Sequence, residues 1–177
     1  MTEQDTARGV LYDGFPSRAE IAASPGVPSP SRLASGPVAF IECVQEIPCN
    51  PCEAACPRGA ITVGLPVTNL PRFDGERCTG CGLCIPKCPG LAIFLIDMTF
   101  APDKALVEFP YEYLPLPSKG DVVGVVDRSG KVIGRGEVVK VLVSKAFDGT
   151  AVVGVAVSKE LAMDVRSIAR RKHGDGK

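Results

Sequence analysis

Eight cysteines stand in two runs, and none lies outside them. The second run is Cys78, Cys81, Cys84 and Cys88, followed directly by Pro89. This is C-x2-C-x2-C-x3-C-P without a gap, the spacing of iron–sulfur ligation. The chemistry needs thiolates because they are soft donors suited to iron in such clusters. Two-residue spacings let three sulfurs point inward from one tight loop. Gly80 and Gly82 let that loop turn sharply, and Pro89 ends it. The first run is Cys49, Cys52 and Cys56, with Pro57 after it and Cys43 ahead of it across a gap of five residues. The runs are an internal repeat: Cys52–Ile61 matches Cys84–Ile93, 32 positions later. An all-Cys zinc ribbon is the competing reading, but it prefers two separated C-x2-C pairs and fits a four-cysteine run ending in C-P poorly. The one histidine, His173, is one too few for a Rieske centre.

These motifs resemble the two-cluster bacterial-type ferredoxins, over roughly residues 38–97. The resemblance implies two [4Fe–4S] clusters with crossed ligation, in which the fourth cysteine of each run serves the other cluster. One cluster would then sit on Cys43, Cys49, Cys52 and Cys88, the other on Cys78, Cys81, Cys84 and Cys56. The chain departs from the family where five residues follow Cys43 and the family has two. A three-iron cluster is the alternative for that site.

Short strands must position these loops. Residues 38–42 read as a strand feeding Cys43, and 60–63 as a strand leaving the first run. Residues 71–74 form its mate, with a turn at Asp74-Gly75, and 92–96 leave the second run. An apolar shell of Ile47, Leu83, Ile85, Ile61 and Ile93 is expected to keep water from the clusters, which tunes reduction potential. Residues 1–37 read as an extended Pro/Ser-rich arm with one short helix, opened by the capping box Ser17-Arg18-Ala19-Glu20. Such an arm is either disordered or laid along a partner. Residues 98–120 are a Pro-rich connector in which 104–109 adds a strand and Tyr111 and Tyr113 pack.

From Asp121 the composition shifts. Thirteen of the 37 residues from 121 to 157 are Val, and Val-rich runs between turns mean β structure. Strands are expected at 122–126, 132–134, 136–143 and 150–157, with a bulge or corner at Gly134 and Gly136. A helix over 159–170 follows, with Leu161, Val165 and Ile168 facing inward. Arg166, Arg170, Arg171 and Lys172 would gather at its end, complementing the helix dipole or docking an acidic partner. The fold class is therefore α+β: a ferredoxin-like 2[4Fe–4S] module at 38–97, then a small β-barrel or rolled antiparallel sheet with a C-terminal helix at 121–177.

The 177 residues are 45% apolar, enough for a core, and carry 20 acids against 20 bases. That balance gives no argument for nucleic acid or an anionic membrane. No apolar run reaches the ~18 residues of a membrane span. The polar, acidic start is unlike a secretory signal. Eight cysteines without a signal point to metal in a reducing cytoplasm. No catalytic apparatus is apparent: no nucleophile with its base, no dinucleotide fingerprint, no phosphate loop. The expected role is an electron-transfer subunit that relays single electrons from a flavin-containing dehydrogenase partner to an acceptor, within a hetero-oligomer. The alternatives are a free soluble shuttle, or an iron–sulfur sensing or nucleic-acid-binding module.

Overall fold

A computed structural model describes residues 8–170. Nine strands are assigned in them: β1 (Val38–Ile41), β2 (Ile61–Thr62), β3 (Arg72–Phe73), β4 (Ile93–Asp97), β5 (Lys104–Tyr111), β6 (Val122–Val126), β7 (Val132–Leu142), β8 (Ala151–Ser158) and β9 (Ser167–Ile168). Seven form one sheet in the order β1-β4-β5-β8-β7-β6-β9, and β2 and β3 form a separate hairpin. Every pairing is antiparallel. The cysteine-bearing part and the Val-rich part therefore share one continuous sheet. The strand expected in the connector, β5, is third in that order and pairs with the central strand β8 from Lys104↔Ser158 to Tyr111↔Ala151.

The two faces of this sheet carry two cores, which follows from the two-residue alternation of strand side chains. Phe40, Phe94, Ile96, Val107, Phe109, Val153 and Val155 belong to one core. Ala39, Ile41, Ile93, Leu95 and Val152 belong to the other, with Cys52 and Cys84. The cysteine loops are thus laid on the face of β1 and β4 opposite the Val-rich core. Burial on both faces explains why β8 is apolar throughout, with only Ser158 exposed.

Residues 8–37 lie along the body of their own chain. They contain α1 (Val10–Asp13), α2 (Arg18–Ala23) and α3 (Pro30–Leu33). The capping box of α2 is formed: the Ser17 hydroxyl accepts from the Glu20 amide, and the Glu20 carboxylate accepts from the Ser17 amide at 2.7 Å. Ile21 is buried in the core with Phe40 and Phe94. The amides of Ile41 and Phe73 donate to the carbonyls of Gly26 and Pro25 at 3.2 and 3.0 Å. A Pro-rich stretch serves here because its extended backbone leaves carbonyls free to accept.

The helix expected over 159–170 is replaced by one 3-10 turn at Lys159–Leu161 and the strand β9. The edge of β6 wins this competition. The amides of Arg166 and Ala169 donate to the carbonyls of Val126 and Gly124 at 2.9 and 2.8 Å, and Val165 and Ile168 are β-branched residues suited to a strand. Both are still buried, so the apolar spacing marked the right side chains on the wrong backbone. Arg166 is buried rather than displayed in a basic cluster; Arg171, Lys172 and His173 lie outside the described residues. The two strands expected at 132–134 and 136–143 are one, β7. Its irregularities fall between Val125 and Val126 of its partner and between Val138 and Lys140. Tyr111 is buried, while Tyr113 is half exposed and meets it edge-on at 5.7 Å. No helix among the described residues is long and apolar enough to cross a membrane.

Candidate iron–sulfur site

The two cysteine runs fold alike. Cys52 lies in α4 (Pro51–Ala55) and Cys56 caps its end. Cys84 and Cys88 bracket the shorter 3-10 turn Ile85–Lys87, Cys88 capping its end as Cys56 does that of α4. The repeat extends to individual hydrogen bonds. The Cys56 amide donates to Glu53 at 3.2 Å, and the Cys88 amide donates to Ile85, 32 residues on, at 3.3 Å. The Ala60 amide donates to Cys56 Sγ at 3.2 Å, and the Ala92 amide to Cys88 Sγ at 3.4 Å. Donors to sulfur of this kind stabilise thiolate and tune whatever it ligates. Gly80 and Gly82 both have positive φ, 68° and 74°, as the sharp loop requires.

The eight sulfurs divide between two cavities. One is lined by Cys78, Cys81, Cys84 and Cys56. The other is lined by Cys43, Cys49, Cys52 and Cys88. Each therefore takes three cysteines from one side of the repeat and one from across it, and Cys43 reaches the second despite its five-residue gap. Among the described residues no three His, Cys, Asp or Glu side chains are placed to hold a single metal ion, which would need sulfurs about 2.3 Å from one centre for zinc. A polynuclear iron–sulfur group fits such a donor set.

The thiols influence one another along the same division. Burial, reinforced by Cys78, Cys81 and Cys56, pushes the Cys84 thiol up to about 12. Burial and the charge of Cys88 push Cys52 up to about 11. Cys43 and Cys49 are raised by burial and by Cys88. Four thiolates in one cavity repel one another, so a compensating cation is needed to hold them all deprotonated.

The apolar shell is more open than expected. Ile61, Ile85 and Ile93 are buried. Ile47 lines the cavity of Cys43, Cys49, Cys52 and Cys88 but is 45% exposed, as is Leu83. Of the eight cysteines, Cys81 alone is exposed.

Three polar features carry no local signature in the sequence. The Arg32 guanidinium, at the end of α3, donates to the carbonyls of Gly75, Gly36, Pro37 and Cys78 at 2.8 to 3.2 Å. It fastens the entry to the second run. Glu42, one residue before Cys43, is buried beneath the guanidiniums of Arg128 and Arg166. Burial alone would raise its carboxyl, but the two arginines outweigh it and hold the group below its usual range. Both arginines also donate to the Met163 carbonyl, and Arg166 lies 4.7 Å from the centre of the Phe94 ring. The third feature is Glu108, buried and bonded to Lys140 at 2.8 Å. Each needs a partner between 32 and 124 residues away, which no local pattern announces.

The 4Fe-4S dicluster domain family matches residues 42–92. Protein Pixie of Drosophila melanogaster is 31% identical over 104 residues, covering 53% of this chain and 17% of that protein. A subunit of the ion-translocating oxidoreductase complex of Methanosarcina acetivorans is 47% identical over 49 residues, 28% of this chain and 17% of that one. A subunit of the Na(+)-translocating ferredoxin:NAD(+) oxidoreductase complex of Acetobacterium woodii is 42% identical over 45 residues, 25% of this chain and 13% of that one. The chain thus spans less than a fifth of the length of these relatives. No solved structure matches it. With the cysteine repeat and its paired cavities, the match supports a ferredoxin-like iron–sulfur domain at residues 42–92.

Proposed function

We propose that this chain is the electron-transfer subunit of an oxidoreductase complex, relaying single electrons from a flavin-containing dehydrogenase partner through two [4Fe–4S] clusters. Cys43, Cys49, Cys52 and Cys88 would hold one, and Cys78, Cys81, Cys84 and Cys56 the other. The observation that carries this reading is the division of all eight cysteines into two four-thiol cavities. Such clusters, when bound, take up and release one electron each. The chain's own part is to fix the sulfurs, supply the Ala60 and Ala92 amides to Cys56 and Cys88, and exclude water with Ile61, Ile85 and Ile93.

Two relatives are named as subunits of oxidoreductase complexes, which supports a fixed subunit. So do exposed apolar side chains on several loops: Leu11, Leu65, Leu114 and Val143 are each at least 69% exposed, and buried apolar contact is what obligate interfaces use. A flavin suits the donor because it releases electrons singly. A free shuttle is the second reading, favoured by the packing of residues 8–37 on their own chain rather than free for a partner. Affinity purification of the tagged chain from its native host tests both. A co-purifying flavoprotein, with about eight iron and eight acid-labile sulfide per chain from two cubanes, is the expected result. A monomeric chain with the same iron content would leave the shuttle.

A further inference from the structure

Glu108 is a buried carboxylate in the middle of the sheet, 3% exposed, and burying a charge is costly unless it is paired. Its location is specific. It is the cross-strand partner of Leu95, and directly paired residues share a face. Leu95 lines the cavity of Cys56, Cys78, Cys81 and Cys84. Gly82, between Cys81 and Cys84, lines the same cavity, and a Cβ placed on it would stand 3.9 Å from Glu108 Oε2. The carboxylate therefore stands directly behind two walls of that cavity. Arg58, a charged residue that lines the cavity itself, is exposed.

The partner of Glu108 is brought from two strands away. Lys140 on β7 donates to both carboxylate oxygens, at 3.0 and 2.8 Å. β8 lies between β5 and β7. At the crossing point β8 has Gly154, the register partner of both Glu108 and Lys140. A Cβ there would fall 3.1 Å from Lys140 Cβ and 3.3 Å from Glu108 Cγ, so the bare glycine leaves the path open. The register shift between Val138 and Lys140 puts lysine, not Val139, opposite that glycine. An irregularity, a glycine, a lysine and a glutamate thus combine to keep one ionised carboxylate beside one cavity.

We infer that the Glu108–Lys140 pair sets the reduction potential of the cluster on Cys56, Cys78, Cys81 and Cys84, with the Glu108 carboxylate behind Gly82 holding it down. The inference rests on the two-cluster reading above. Reduction adds one electron to the cluster and makes or breaks no bond. The added negative charge is opposed by a carboxylate in a poorly screened interior and favoured by a cation there.

Mediated redox titration of the full chain under anaerobic conditions, followed by EPR, tests this. Glu108→Gln should raise one midpoint potential, that of the cluster whose signal is also lost in Cys81→Ser, and leave the other unmoved. The double variant Glu108→Gln with Lys140→Gln, which strands no buried charge, should raise the same potential by less. It decides the matter alone if the single variant does not load. A fall, no movement, or equal movement of both potentials overturns the inference. Wild-type protein lacking two reducible clusters would instead overturn the reading on which it rests, and would be seen before any variant is made.

Discussion

Gly59 and Leu91 occupy the same place in the two halves of the repeat and share one left-handed backbone conformation, with φ of 58° and 52°. Each donates its amide to the carbonyl of the cysteine three residues before it, at 3.1 Å in both halves. The fold therefore dictates this conformation, whichever residue is present. For a residue with a Cβ the cost is roughly 1–2 kcal/mol. Leu91→Gly should accordingly leave stability within about 1 kcal/mol of wild type, because relief of strain is offset by added freedom in the unfolded chain. Gly59→Leu should lower it by about 1–3 kcal/mol, since a Cβ there would also meet the Arg77 guanidinium at 3.0 Å. Denaturant unfolding of the loaded protein measures the asymmetry; equal effects from the two substitutions would contradict it.

Glu42 should matter more than any exposed pair. Glu42→Gln would leave the buried guanidiniums of Arg128 and Arg166 without their shared carboxylate, a loss on the order of 3–5 kcal/mol. Arg18→Ala removes a 51% exposed side chain from its pair with Asp164 and should cost less than about 1 kcal/mol. Thermal unfolding of both variants provides the comparison, and a Glu42→Gln protein as stable as Arg18→Ala would refute it.

Arg32 should act on one half of the site. Its guanidinium joins four carbonyls, among them that of Cys78. Arg32→Ala should therefore speed iron loss to a chelator from the cluster signal that depends on Cys78, while the other signal decays at the wild-type rate. Arg32→Lys should not restore it, because a single ammonium does not reproduce the planar fork. Uniform loss of both signals would show that Arg32 serves general stability only.

The sequence was most legible where the constraint is local. The glycines within the second run and the Ser17–Glu20 capping box act within a few residues, and both are found as read. β1 to β4 and the Val-rich strands follow from period and composition. The departures come from distant competition. Residues 159–170 have a helical apolar spacing, but the open edge of β6 takes their amides. Arg166 looked like a surface cation because its partner, Glu42, lies 124 residues away. The continuity of β4, β5 and β8 was hidden because strand order depends on long-range pairing, and the prolines of 98–120 suggested only a connector.

Pairwise comparison of cysteine variants reveals whether each cluster is held across the repeat. Low-temperature EPR of the dithionite-reduced full chain should show Cys56→Ser losing or altering the same signal as Cys84→Ser, and Cys88→Ser the same signal as Cys49→Ser. This requires no prior assignment of either signal. If Cys56→Ser instead matches Cys49→Ser, and Cys88→Ser matches Cys84→Ser, each run holds its own cluster and the crossed account is wrong.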